Sequence, residues 1–179
     1  SAKVLDGACG NLNIDDVIST ATMWSELTGT AFYKITWDNN AGMAVGKNGD
    51  KIIREGDVRV DVCPPYEIFP DSPDCGSIKD CRSIIHAKAV HVADIKRIWG
   101  ADVEEEAGAV MGFSDGNVPI ESEKKKNGYA VVIERYSRPN LMYPAGRLEV
   151  IAGDKLLYEG DLPFLVGVNG EADLPFVRQ

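Results

Sequence analysis

The spacing of apolar residues changes at Gly29, and this change limits the possible folds more than any other feature of the sequence. Before Gly29 the apolar residues recur at intervals of three and four, which is typical of a helix with one buried stripe. They are Ile14, Val17, Ile18, Ala21, Trp24 and Leu27. After Gly29, residues 31–37 are aromatic and β-branched with a period of two, which favours a strand. A helix followed by strands with little alternation predicts the α+β class, with a mostly antiparallel β-rich body.

Residues at the ends of these segments predict where the elements begin and end. Asn13 is suited to cap the first helix, and Gly29 to end it. Asn48-Gly49 is typical of a hairpin turn, and residues 147–152 and 155–158 are expected to pair across Gly153-Asp154. The prolines of residues 64–73 remove backbone donors, so we expect an extended edge or a fixed loop there.

The pattern divides the chain into four segments. Residues 1–29 form an N-terminal helical segment, and residues 30–100 a β-rich body with a short helix at 91–99. Residues 101–128 are glycine-rich and charged, and we interpret them as a loop or an insertion. Residues 129–179 are a β-hairpin region of the same domain.

The charge of the chain argues against an isolated nucleic-acid-binding domain. The formal net charge is −9, and the basic run Lys124-Lys125-Lys126 follows Glu121 and Glu123 closely, as in a solvated loop. An acidic surface is compatible with a protein that lets DNA pass without binding it. The sequence also lacks an apolar run long enough to cross a membrane, and its first residues lead us to expect no secretory signal.

The four cysteines form no CxxC pair and no dense framework. They are Cys9, Cys63, Cys75 and Cys81. We expect buried or half-buried thiols in a reducing compartment.

Two short motifs resemble enzyme signatures without meeting their requirements. Ser114 lies in G-x-S-x-G, but Pro119 opposes the helix that should follow, and both histidines precede the serine. Residues 42–47 (GMAVGK) resemble a phosphate-binding loop, but one residue is missing and Asn48 replaces the Ser or Thr that would hold Mg²⁺. We therefore predict neither a catalytic serine nor a nucleotide site.

Four soft ligands, Cys75, Cys81, His86 and His91, invite a zinc hypothesis. Structural zinc sites usually bring ligands in pairs two to four residues apart, and these spacings are wider. His86 also lies in an apolar, strand-like run, where a hydrogen-bonded core or edge histidine is the commoner outcome. No carboxylate pair is marked as special, so we expect no metal, no cofactor and no enzymatic activity.

The residues at both ends of the sequence are typical of a fragment. The chain opens on Ser-Ala without a starting Met, and residues 174–179 stop on an apolar run. We expect a fragment of a longer protein.

A series of motifs in order resembles the portal proteins of tailed bacteriophages and prophages, in particular the large podovirus-type family. The resemblance covers residues 20–178, more weakly through 101–128. The motifs are residues 27–38 (LTGTAFYKITWD), 56–71 (GDVRVDVCPPYEIFPD), 81–88 (CRSIIHAK), 92–100 (VADIKRIWG), 143–147 (YPAGR) and 162–164 (LPF).

The resemblance implies a structural protein of the virion that is assembled in the host bacterial cytoplasm. Portal proteins form closed rings, usually dodecamers, at one capsid vertex. The ring contacts the capsid, the terminase motor and the tail or adaptor proteins, and DNA is packaged and ejected through it. The stem helices of the tunnel are not recognisable here, so the chain most resembles the wing-like body. We expect no specific nucleic-acid site and no membrane contact.

Trp24, Trp37 and Trp99 are the residues for which we predict anchoring roles. Aromatic side chains dominate the energetics of cores and interfaces, and we favour the core for all three. An alternative function is a small-ligand or carbohydrate-binding β-rich module of a phage structural protein, which would present an exposed aromatic platform. A fragment of a carboxylate enzyme, with two acids in one cleft, is a third possibility.

Overall fold

The computed structural model describes residues 12–49, 51–72, 76–106, 128–163 and 172–179. It has the predicted α+β class: an N-terminal helix precedes mostly antiparallel strands, and a second helix follows later. The described residues fall into two compact units. One comprises those within Ser1–Ile68, Cys75–Asp80 and Pro175–Gln179, and the other those within Phe69–Asp74 and Cys81–Leu174.

The first unit contains a helix, a three-stranded sheet and a separate hairpin. Helix α1 (Ile14–Thr28) leads into strand β1 (Phe32–Asp38), which pairs antiparallel with β4 (Asp57–Cys63). Strands β2 (Ala44–Asn48) and β3 (Lys51–Arg54) pair with each other as a two-stranded sheet. The last strand, β10 (Phe176–Arg178), pairs with the other side of β1, so that the sheet order is β10-β1-β4.

The ends of helix α1 lie where the sequence predicts them, but one end is formed differently. Gly29 is left-handed (φ 83°), and its N–H donates to Ser25 at 2.9 Å, a normal glycine C-cap. Asn13 holds the N-cap position with φ 49° and makes no side-chain capping bond. Its side-chain amide instead bonds the Asp16 carboxylate, so the predicted mode of capping is wrong.

The buried stripe of helix α1 is narrower than predicted. Ala21 is fully buried, and Ile14, Val17 and Trp24 are half-buried. Ile18 and Leu27 lie outside the stripe, with 50% and 70% exposure. Spacings of three and four admit several registers, and the buried one runs through residues 14, 17, 21 and 24.

The second unit is built on a five-stranded sheet in the order β5-β6-β7-β8-β9. Its strands are β5 (Ile68–Pro70), β6 (Ser83–His91), β7 (Tyr129–Ser137), β8 (Arg147–Ala152) and β9 (Lys155–Gly160). β8 and β9 pair across Gly153-Asp154 as predicted. β5 is an outer strand of the sheet and follows a 3-10 turn at Pro65–Glu67, which agrees with the prediction of an edge in the proline-rich segment.

Helix α2 (Val92–Trp99) supplies the core of this unit. Ile95 is fully buried against Ala130, Val132, Val150 and Ala152 of strands β7 and β8. Half-buried apolar side chains surround this cluster: Val90, Val92, Trp99, Val103, Leu148 and Leu157. His91 begins the helix by accepting a bond from Ala93 N–H at 3.2 Å, and left-handed Gly100 ends it.

The predicted loop at 101–128 lies mostly outside the described residues, since 107–127 are not described. Its described ends are tied to the fold, because the Glu105 carboxylate accepts from Gly128 N–H at 2.7 Å and Glu106 N–H donates to Tyr129 at 2.8 Å. Lys96 Nζ lies 2.6 Å from Asp102 Oδ1 and lowers the pKa of that carboxyl. Phe164 also lies outside the described residues, while Leu162 is buried.

Candidate interaction surfaces

The residues weighed as chemical sites do not come together in the described structure. Ser114 lies outside the described residues, as does Cys75 of the zinc hypothesis. Residues 42–47 form a left-handed turn at Gly42 and most of strand β2, not a phosphate-binding loop. In the described ranges, no group of three or more His, Cys, Asp and Glu side chains is placed to hold a metal ion.

Two of the cysteines can be placed. Cys63 ends strand β4 and Cys81 precedes strand β6, and both are buried as predicted. Cys9 lies outside the described residues.

A buried polar cluster lies on the core side of the five-stranded sheet. His86 is 2% exposed, and its Nδ1 lies 3.0 Å from Glu134 Oε2 on the neighbouring strand. The Tyr136 hydroxyl donates to the same carboxylate oxygen at 2.9 Å. His86 and Glu134 are direct partners in the β6–β7 register, so the cluster links two strands at one position.

Partial signals for this cluster were present in the sequence. The apolar run around His86 indicates a buried histidine, and Glu134 follows the apolar residues 130–133 of the neighbouring strand. Period-two alternation places Glu134 and Tyr136 on one face of β7. The β6–β7 register, which pairs His86 with Glu134, cannot be obtained from either strand alone.

Two of the three tryptophans are half-buried anchors. The Trp24 ring meets Tyr66 edge-on, with centroids 5.6 Å apart and planes at 77°. Partial burial raises the pKa of Tyr66, and the negative charge of the Glu67 carboxylate raises it further. Trp99 packs against the core cluster around Ile95.

Trp37 is 55% exposed, so the prediction that it belongs to the core is wrong. Alternation places it with Tyr33 and Ile35 on one face of β1. On this face Tyr33 is flanked by Val177, and Tyr33, Ile35 and Trp37 lie opposite Val62, Val60 and Val58 of β4. Ile35 and Val177 are also exposed. We call Tyr33, Ile35, Trp37 and Val177 the apolar face.

The opposite face of β1 and β4 is polar toward the Asp38 end. Arg59 Nε donates to both carboxylate oxygens of Asp61, at 2.9 and 3.0 Å. This hydrogen bond and the charge of Asp61 raise the pKa of Arg59. The sheet therefore presents chemically distinct faces, and its exposed aromatic lies on the apolar one.

Two glycines fix the surroundings of Trp37. Gly56 is left-handed (φ 81°), and a methyl group there would lie 2.7 Å from Trp37 Cε2. Gly42 (φ 76°) crosses Gly56 so closely that a methyl group would lie 2.6 Å from the Gly56 carbonyl oxygen. Gly56 N–H also donates to Ala41 at 3.2 Å, which ties the two turns together beside the indole.

The β2–β3 hairpin presents apolar side chains to solvent. Met43, Val45, Ile52 and Ile53 are between 46% and 73% exposed. Ile52 and Ile53 are consecutive in β3, so their side chains lie on opposite faces of the hairpin. The predicted turn directly follows Asn48, which ends β2 and pairs with Lys51, and Gly49 is left-handed.

A second apolar projection lies in the turn between β7 and β8. Leu141 is fully exposed and Met142 largely so. The Asn140 carboxamide oxygen accepts from Met142 and Tyr143 N–H at 2.9 and 3.0 Å, and Asn140 N–H donates to Tyr143. The turn is thus held by local hydrogen bonds while it presents two apolar side chains.

Comparisons with known proteins leave the family open. No model of a known protein family matches the chain, and no curated protein is significantly similar to it. Neither helix in the described part of the chain is long and apolar enough to cross a membrane.

Proposed function

We propose that this chain is the wing-like body of a tailed-bacteriophage or prophage portal protein of the large podovirus type. In this role it is a structural component of the virion ring at the capsid vertex and performs no catalysis. Its partners are other portal subunits in a dodecameric ring, the capsid, the terminase motor and the tail or adaptor proteins. The ordered series of motifs supports this proposal.

The observation that best supports an assembly role is the exposed apolar surface of the first unit. Ile35, Trp37 and Val177 are exposed on one face of a well-formed sheet, and the hairpin adds four more apolar side chains. Monomeric soluble proteins rarely expose large contiguous apolar patches, and such patches commonly mark interaction sites. A closed ring requires two different surfaces on each subunit that fit each other.

The charge of the chain is compatible with passage of DNA through the assembled ring. A net charge of −9 repels the phosphate backbone and disfavours adhesion of DNA to the protein. The proposal therefore assigns no nucleic-acid site to these residues.

The gene that encodes the chain offers a direct test. Portal genes lie beside the gene of the large terminase subunit, so sequencing of the locus is expected to show a terminase gene just upstream. A locus of secreted carbohydrate-active proteins, with no packaging genes nearby, would contradict the portal proposal.

A second candidate function, a carbohydrate-binding or small-ligand module, is supported by Trp37. Its indole is exposed and held in place by Gly56, which is how an aromatic platform for a sugar ring is presented. Titration with a panel of oligosaccharides, followed by tryptophan fluorescence, distinguishes the two. The module predicts saturable binding that Trp37→Ala abolishes, whereas the portal proposal predicts no response to any sugar.

A further inference from the structure

The β2–β3 hairpin is an element that its own chain leaves incompletely packed. Within the described residues, β2 and β3 pair only with each other, and every described side chain of the two strands is exposed. An isolated two-stranded hairpin is at best marginally stable in water. A hairpin with exposed isoleucines on both faces is therefore expected to gain stability from a further surface.

The base of the hairpin is nevertheless firmly connected to the first unit. Glu55 N–H donates to Met43 at 3.1 Å, and Arg54 Nη1 donates to the Gly42 carbonyl at 2.7 Å. Below these bonds, Gly42 crosses Gly56, which contacts Trp37. The hairpin thus leaves the unit beside the apolar face, and the two apolar surfaces adjoin at Trp37.

The charge of the hairpin differs in sign from that of the chain. Residues 44–54 carry Lys47, Lys51 and Arg54 against Asp50, a formal charge of +2, whereas the whole chain carries −9. A basic, apolar hairpin is complementary to an acidic protein with an exposed apolar sheet. A second copy of this chain has both of those properties.

We propose that the β2–β3 hairpin docks on the apolar face of a second copy of this chain. One face of the hairpin contacts Ile35, Trp37 and Val177 of the neighbour through its exposed apolar side chains. As part of the proposal the contact is head-to-tail, with one hairpin on one apolar face, because the ring of the proposed function needs such contacts, which generate rings or open chains. This inference rests on the proposed assembly function and names the residues that form its contact.

Sedimentation equilibrium of the chain, measured over a range of concentrations, tests the contact. The hairpin variant Ile52→Thr/Ile53→Thr keeps β-branched residues and so preserves the strand. It is expected to weaken self-association by about tenfold or more, and Ile35→Thr/Val177→Thr, on the apolar face, by a similar factor. The control Leu141→Thr/Met142→Thr removes an even more exposed apolar pair from the second unit and is expected to leave association unchanged.

Mixing the two variants separates a head-to-tail contact from a general loss of association. The hairpin variant retains an intact apolar face, and the apolar-face variant retains an intact hairpin, so an equimolar mixture is expected to form 1:1 dimers that neither forms alone. A mixture that stays monomeric while the unmodified chain associates would overturn the proposal, as would an unmodified chain with a dissociation constant weaker than about 1 mM. If the contact is found but the gene lies outside a phage locus, the portal identity fails while the docking surface stands.

Discussion

Two independent structural features favour glycine at position 56. Its φ of 81° is a conformation that residues with a Cβ rarely adopt, and an added methyl group would collide with the Trp37 indole. Gly49 shares only the first reason, since it is left-handed (φ 61°) and no heavy atom lies within 4 Å of the position of its missing Cβ. The two residues therefore allow backbone strain to be separated from steric contact.

We expect Gly49→Ala to lower the free energy of unfolding by about 1–2 kcal/mol, because an L-residue resists the left-handed conformation. Gly56→Ala is expected to cost about 1 kcal/mol more, since Trp37 must also move. Urea unfolding measures both changes, and the indole N–H resonance of Trp37 reports its displacement. Equal losses with an unshifted Trp37 resonance would contradict the packing described for Gly56.

The Glu134 carboxylate is the shared acceptor of the buried cluster with His86 and Tyr136. Because its removal takes a hydrogen-bond partner from two buried side chains, Glu134→Ala is expected to destabilise the protein by about 3 kcal/mol. Glu134→Gln keeps an oxygen acceptor and is expected to recover part of that loss. Chemical denaturation provides the measurement.

Arg135→Ala is the matched control for the Glu134 substitution. Arg135 is the next residue of β7, and its exposed side chain lies 3.7 Å from Glu149. Loss of such a surface ion pair is expected to cost less than about 1 kcal/mol. A Glu134→Ala loss no larger than that of the control would show that the cluster contributes little to stability.

At the residue scale, the structure is predictable from the sequence where local chemistry decides the backbone conformation. Gly29 ends a helix and Gly49 turns a hairpin, because both positions need a left-handed backbone conformation that glycine adopts readily. The environment of Trp37 was predicted wrongly. The period-two pattern of β1 shows which face of the strand Trp37 occupies. Whether that face is buried depends on what packs against it, and the sequence of the strand does not specify the packing partner.

At the scale of elements, helix α2 and strands β7 and β8 share one buried core cluster. Ile95 is fully buried in the core cluster, while Ile98, three residues later, is more than half exposed. The same substitution at the two positions therefore compares a core site with a surface site on one helix.

Ile95→Ala is expected to lower the free energy of unfolding by about 3 kcal/mol, since it removes buried methyl groups and leaves a cavity. Ile98→Ala is expected to change it by less than about 0.5 kcal/mol. Thermal or urea unfolding of both variants provides the check. Similar losses at the two positions would contradict an α2 that turns Ile95 to the core and Ile98 to solvent.

Most strands and both helices were predictable because each has its own periodicity and turn residues. The long-range pairings were not. Strand β10 pairs with β1 from the far end of the sequence, with Tyr33 opposite Val177, and a period-two pattern does not specify its partner. The exposure of the hairpin also could not be predicted from the sequence, since isoleucines such as Ile52 and Ile53 are usually core residues.

At the scale of the whole molecule, the protein is an acidic α+β chain with exposed apolar surfaces in its described residues, and we propose that these surfaces serve assembly. The hairpin and the apolar face provide two unlike surfaces, which is what a closed ring needs from each subunit. If the apolar side chains of the hairpin and the apolar face were buried in a core, a role in the stability of the fold would explain them. Their exposure is the reason to look for a partner.

Electron microscopy of the full-length gene product tests this central claim most directly. The account predicts closed rings with a central channel, and it predicts that Ile52→Thr/Ile53→Thr reduces the fraction of rings while Leu141→Thr/Met142→Thr does not. Particles that remain single subunits at every concentration examined would contradict the account.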